Sequence, residues 1–214
     1  MLPRFHCITN SATLNGQPIE AVVDAGVDAI QVRAKNLTDR ELLDLTAEVV
    51  ARVADRAKVI VNDRLDVALA AGADGVHVGL DDLPVWHARR LAPAGFLVGG
   101  TCRHAEHARQ VKAEGADYVG VGPIYLTTSK QGLPDPIGLH TLADVAKVLP
   151  AIAISGITLD RVPEVMRAGA YGVAVIAALA QADDPGAAAA EIAAAIRTHR
   201  WRTGDEEATT ALAR

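Results

Sequence analysis

Four stretches of this chain are variants of one another, and few folds repeat a helix-to-strand junction four times. They are Asp24-Ala-Gly-Val-Asp-Ala-Ile-Gln-Val-Arg33, Ala71-Gly-Ala-Asp-Gly-Val-His-Val-Gly79, Glu114-Gly-Ala-Asp-Tyr-Val-Gly-Val-Gly122 and Ala168-Gly-Ala-Tyr-Gly-Val-Ala-Val-Ile176. In each, a glycine (Gly26, Gly72, Gly115, Gly169) closes a helical pattern as a left-handed cap, and a β-branched run begins two or three residues later. The glycines recur roughly every 43–54 residues, too far apart for one βα unit and right for two. The intervening strands are the short apolar runs Phe5 to Thr9, Lys58 to Asn62, Phe96 to Gly99 and Ala151 to Ser155. Helical patterns lie between, at Asp39 to Ala54, Asp63 to Ala71, Pro84 to Leu91, Ala105 to Ala113, Leu139 to Val148, Leu159 to Ala168 and Pro185 to Arg200, the last with Asp184 as N-cap. Eight alternating units predict an α/β fold, a single (β/α)8 TIM barrel over residues 1–202. An open doubly wound sheet is the alternative, but it needs no fourfold repeat.

Composition agrees with buried parallel strands under Ala-rich helices, because 50% of the 214 residues are hydrophobic while only 3% are aromatic. So few rings also leave little to stack nucleic-acid bases on, and a net charge of −5 argues against a polyanion or an anionic membrane as partner. The expected partners are small molecules, with a homo-oligomer left open. Cys7 and Cys102 have no metal-type spacing and read as buried thiols. With no apolar stretch of about 18 residues and no charged-then-apolar leader, the expected location is cytoplasmic. Residues 203–214 are polar without apolar periodicity and read as a loose tail.

The chemistry of a barrel gathers at the C-terminal strand ends. After the sixth strand comes Gly120 to Gly132, with Thr127, Thr128, Ser129 and Lys130 among small residues, a loop suited to an anion. After the second, alternation through Gln31-Val-Arg-Ala-Lys35 sends Gln31, Arg33 and Lys35 to one side. The third strand ends at Asn62-Asp63 and the fourth runs to Asp81-Asp82. Read singly, Asp63 or Asp82 is a helix cap; read together, from neighbouring strand ends, they suit a hard cation such as Mg²⁺. Thr101 ends the fifth strand, Ser155-Gly156 the seventh and Ile176-Ala177 the eighth, the last two being a frequent phosphate seat. The mouth therefore offers two anion sites: Arg33, Lys35, Lys130 and a metal make one fit for a diphosphate, and a nearly uncharged one fits a monophosphate. None of the histidines reads as catalytic: His77 is a packed interior residue, His6 has no obvious partner, and the other five fall in helices or their starts.

Taken in order, Gln31 to Lys35, Val61 to Arg64, Gly72 to Gly79 with Asp81-Asp82, Gly115 to Tyr125 with Thr127 to Lys130, and Gly169 to Ile176 resemble the thiamine phosphate synthase family from about Phe5 to Pro185. The resemblance implies an enzyme joining 4-amino-5-hydroxymethyl-2-methylpyrimidine diphosphate to a thiazole monophosphate, plain or 2-carboxylated, with loss of diphosphate. It also implies that Arg33, Lys35, Asn62, Thr101 and Lys130 hold the pyrimidine diphosphate, with Gln31 near the ring and Arg33, Lys35 and Lys130 acting on the leaving group. Asp63 and Asp82 would hold Mg²⁺, and Thr127, Thr128, Ser129, Gly156, Ile176 and Ala177 the thiazole phosphate. Leu80, Ser155 and Ala177 stand where the family usually has Gln, Gly and Ser, and Thr101 where it has Ser. A sister branch, the thiazole tautomerases, shares the barrel and the thiazole phosphate site and is the near alternative, although it tends to carry a histidine at the place of Pro123 and to lose the diphosphate cations; a non-catalytic phosphate-ligand-binding barrel is the far one.

Overall fold

In a computed structural model, which describes residues 1–9, 19–127 and 132–199, eight parallel strands close on themselves in sequence order. They are β1 (Phe5–Thr9), β2 (Ala29–Val32), β3 (Lys58–Asn62), β4 (Gly75–Val78), β5 (Leu97–Cys102), β6 (Tyr118–Val121), β7 (Ala151–Ile154) and β8 (Gly172–Val175). The main helices outside them are α1 (Ile19–Asp24), α2 (Asp39–Val53), α3 (Leu65–Ala70), α4 (Val85–Leu91), α5 (Ala105–Ala113), α6 (Gly138–Ala146), α7 (Val162–Arg167), α8 (Ala177–Ala180) and α9 (Pro185–Arg197). The barrel excludes the open sheet. The expected domain boundary at residue 202 and the tail 203–214 lie outside the described residues.

The repeat glycines do what their position requires: Gly26, Gly72, Gly115 and Gly169 have φ of 116°, 71°, 98° and 96°, a left-handed turn from helix into strand. The residue two further on performs a second task that sequence reading missed. Asp28 accepts the backbone N–H groups of Arg4 (2.9 Å) and Phe5 (2.7 Å) at the start of β1. Asp74 accepts that of Val59 (2.9 Å) in β3, and Asp117 that of Val98 (2.7 Å) in β5. Three of the four repeats thus staple the start of a neighbouring strand, at the barrel end away from the mouth. In the fourth copy Tyr171 takes the place, and its hydroxyl donates to the Leu2 carbonyl at 2.7 Å.

Two apolar clusters follow from strand alternation. The larger lies between strands and helices and holds Ile30, Val32, Val59, Val61, Val76, Val78, Val119, Val121, Val173 and Val175. The smaller fills the barrel with Ile8, Ala29, Ile60, Tyr118, Ile152, Tyr171 and Ala174. One of the few rings therefore sits at the centre: Tyr118 is 1% exposed, with its ring centroid 5.4 Å from that of His6 and 5.6 Å from that of His77. Room for it comes from glycine. A Cβ on Gly99 would lie 2.2 Å from Tyr118 Cζ, and one on Gly120 2.9 Å from His77 Cε1. The fifth strand, whose apolar run is Phe96 to Gly99 and whose end was expected at Thr101, runs through Gly100 and Thr101 to Cys102, with Gly99 pressed against the interior rings.

Candidate active site

Beyond this plug the C-terminal strand ends open into a cavity of about 630 Å³, a volume suited to small ligands. On the β2–β5 side its wall includes Gln31, Arg33, Asn62 and Thr101; on the β6–β8 side it includes Thr127, Gly156, Ile176 and Ala177. All eight were expected at the mouth, and the fold brings them to one space. Ile8, Ile152, Ile154 and Ala174 supply an apolar lining that keeps water sparse around a bound ligand. Thr128, Ser129 and Lys130 lie outside the described residues.

Lys35 departs from its expected place. β2 stops at Val32, so strand alternation no longer governs Lys35; its Nζ turns to Asp63 Oδ2 at 2.9 Å, and the side chain is 57% exposed. Asp63 has φ of 65°, a left-handed conformation that Asp and Asn adopt more readily than most residues, and its N–H donates to the His77 carbonyl at 2.8 Å. That turn directs its carboxylate towards Asp82. The Asp82 carboxyl is held above its ordinary pKa, first by its own burial and then by the hydrogen bond and negative charge of Asp63. Asp82 Oδ2 accepts from the Gly79 N–H at 2.9 Å.

Neither aspartate is a helix cap, contrary to the reading of each alone: α3 begins two residues after Asp63 and α4 after Pro84, both without a side-chain cap bond. Two carboxylates facing each other with a nearby lysine are a poor arrangement without a cation. Among the described residues no group of three or more His, Cys, Asp or Glu side chains gathers as a metal site. Asp63 and Asp82 are two facing oxygen donors, and around a hard cation water and substrate oxygens would supply the remainder of the shell. That donor set fits Mg²⁺, which commonly keeps water and phosphate oxygens, and does not fit a closed zinc site.

The interior histidines are held neutral. Burial lowers the pKa of both His6 and His77 to about 4. His77 is the packed residue expected, with Nε2 3.0 Å from Thr101 Oγ1 and Nδ1 3.3 Å from the Tyr118 hydroxyl. His6, for which sequence offered no partner, has Nε2 3.3 Å from the Pro3 carbonyl, a local contact made when the chain enters β1. Cys102 is buried as expected and its thiol pushed up to about 12 by burial; Cys7 is only partly buried.

Two arginines on the cavity wall escaped the sequence reading. Arg161 Nη1 donates to the Gly156 carbonyl at 2.7 Å, with its guanidinium carbon 4.4 Å from the Tyr125 ring centroid. The β6–β8 side, expected to be nearly uncharged, therefore carries a cation; its residue comes from the turn before α7, where no strand pattern points to the mouth. Arg103 follows β5, two residues past Thr101. Alternation extended by one step would have found it.

A family model described as thiamine monophosphate synthase matches residues 5–179. The thiamine-phosphate synthase of Anaeromyxobacter dehalogenans is 51% identical over 186 residues, covering 86% of this chain and 84% of that protein. That of Salinispora arenicola is 47% identical over 205 residues, covering 91% and 98%. Among solved structures, the thiamine phosphate pyrophosphorylase from Pyrococcus furiosus superposes with a TM-score of 0.80 at 32% identity, covering 91% of this chain and 96% of that one. A 3-hexulose-6-phosphate synthase, at 24% identity and a TM-score of 0.70, shares the fold.

Proposed function

The chain belongs to the thiamine monophosphate synthase family, and from that premise we propose how its cavity couples 4-amino-5-hydroxymethyl-2-methylpyrimidine diphosphate to a thiazole monophosphate. The observation that carries the reading is one cavity with anion-binding groups on two opposed sides. Arg33, Asn62 and Thr101 hold the diphosphate, with Gln31 beside the pyrimidine and Lys35 and Lys130 adding charge. The backbone at Gly156, Ile176 and Ala177, with Thr127, Thr128 and Ser129, holds the thiazole phosphate, and Arg161 balances its charge.

The C–O bond from the pyrimidine methylene to diphosphate breaks as the aminopyrimidine stabilises the positive carbon, and the thiazole nitrogen supplies the electron pair for the new C–N bond. No protein base is needed, which agrees with two interior histidines whose pKa lies near 4. The residues instead hold the nitrogen and carbon in line and stabilise charge on the departing group. Asp63 and Asp82 would hold Mg²⁺, which when bound offsets the negative charge developing on diphosphate.

Supplied with both substrates and Mg²⁺, the protein should form thiamine monophosphate and diphosphate in equal amounts. No product with either the plain or the carboxylated thiazole would refute the proposal. Pro123 lines the cavity where the tautomerase branch tends to carry histidine, which speaks against that activity.

A further inference from the structure

We propose that Arg103 is an additional binding residue for the diphosphate group, and the proposal rests on the coupling function above. Three observations place it there. Arg103 is on the cavity wall, on the β5 side, next but one to Thr101. Its Nε is buried and, among the described residues, has no hydrogen-bond partner, so desolvation of that donor goes uncompensated. Among the described residues no ion pair engages its guanidinium, unlike Arg52, Arg56, Arg64 and Arg89, each of which meets a carboxylate.

A charged fork facing a ligand cavity with an unfilled donor is matched by an oxygen anion carried in by that ligand. The choice between the two anions follows from position. β5 lies between β4, whose loop carries Asp82, and β6. Thr101 is on the same wall as Arg33 and Asn62, whereas Gly156, Ile176 and Ala177 belong to β7 and β8 across the mouth. Arg103 thus extends the diphosphate side and offers, on the same wall as Arg33, a second guanidinium to phosphate oxygens. It tightens the hold on substrate and on released diphosphate alike, so it also sets how strongly that product inhibits.

The test uses Arg103→Met, which retains much of the side-chain bulk, and Arg103→Lys, with inorganic diphosphate plus Mg²⁺ as the probe in calorimetry and as a product inhibitor. In the methionine variant the diphosphate Kd, its Ki and the KM for pyrimidine diphosphate should each rise about tenfold or more, the loss expected for a charged hydrogen bond. The KM for thiazole phosphate should stay within about twofold, and lysine should recover part of the loss. Unchanged diphosphate binding in a variant that melts like the wild type would overturn the assignment, as would a parallel rise in both KM values, which marks a structural role. If the methionine variant does not fold, Arg103→Gln is read by the same criteria. Failure of the wild type to make thiamine monophosphate would count against the function instead, and diphosphate calorimetry would still judge Arg103.

Discussion

Replacing Gly99 by alanine tests whether the barrel interior is as tightly specified as its contacts imply. The added Cβ would lie 2.2 Å from Tyr118 Cζ, 2.5 Å from the Tyr118 hydroxyl and 2.6 Å from His77 Nδ1, all well inside van der Waals contact. Relief requires movement of about 1 Å or more by a ring that is itself enclosed. Tyr118 is 1% exposed, and the rings of His6 and His77 flank it at 5.4 and 5.6 Å. Overpacking a core costs about 1–3 kcal/mol, and contacts this short put the substitution at the upper end. About 3 kcal/mol corresponds to a fall in Tm of roughly 6–12 °C for a chain of this size. Urea unfolding should show a lower midpoint with an unchanged m-value. Gly72→Ala is the control: nothing lies within 4 Å of its added Cβ, but φ is 71°, so it should cost only the left-handed strain of about 1–2 kcal/mol. Tyr118→Phe should not rescue Gly99→Ala, since the ring carbon remains, whereas Tyr118→Leu should show favourable coupling of about 1 kcal/mol or more in a double-mutant cycle. A Gly99→Ala protein that melts within about 2 °C of wild type would refute the argument, as would strict additivity with Tyr118→Leu.

Two further outcomes follow from the charged and titrating groups. Asp63→Asn keeps a side chain that tolerates the φ of 65° and removes one of two facing carboxylates; what it gives up, an ion pair with a lysine that is 57% exposed, is worth little. Without metal the variant should be at least as stable as wild type, while the rise in Tm on adding Mg²⁺ disappears and turnover falls by about 100-fold or more; a Tm response equal to wild type would remove Asp63 from the metal site. For His6, burial lowers the native pKa to about 4 from 6.5, so as pH falls through this window the unfolded chain takes up the proton first and stability is lost. Wild type should therefore lose on the order of 3 kcal/mol through this group between pH 6.5 and 4, and His6→Asn should show a shallower fall by that amount in pH-resolved denaturation; parallel curves would show that His6 does not carry the effect.

The barrel was legible because its signals are local. A glycine that must turn left-handed and a run of β-branched residues can each be recognised without knowing their neighbours, and both recur four times. What depends on partners distant in sequence was less visible. The glycine at position 99 in β5 is explained only by Tyr118 and His77, whose rings need a bare backbone opposite them. Lys35 left its expected side because β2 ends at Val32, and a strand's end is set by the partner that stops pairing with it. Asp63 and Asp82 looked like caps one at a time; only their convergence from adjacent strands makes them a pair. Arg161 reaches the cavity from a turn before a helix, for which alternation offers no rule.

The repeat also contains its own guide to the site. In the strand of each copy, the second and fourth residues are Ile30 and Val32, Val76 and Val78, Val119 and Val121, Val173 and Val175, and all eight pack between strands and helices. The residue between them is Gln31, His77, Gly120 or Ala174, and all four line the cavity. The outward positions meet the same kind of surface in every copy, an apolar helix, so the same β-branched side chains serve each time. The inward positions meet different groups: His77 a tyrosine, Gly120 a histidine ring, and Gln31 and Ala174 the open cavity. They diverge because nothing around them repeats. The aspartates divide the same way. Asp28, Asp74 and Asp117 occur at the repeat position and staple strand starts at the far end of the barrel. Asp63 and Asp82 belong to no repeat, lie at the mouth, and face each other at an energetic cost that a cation would remove. In a chain built from four copies of one unit, stability is read where the copies agree and chemistry where they part.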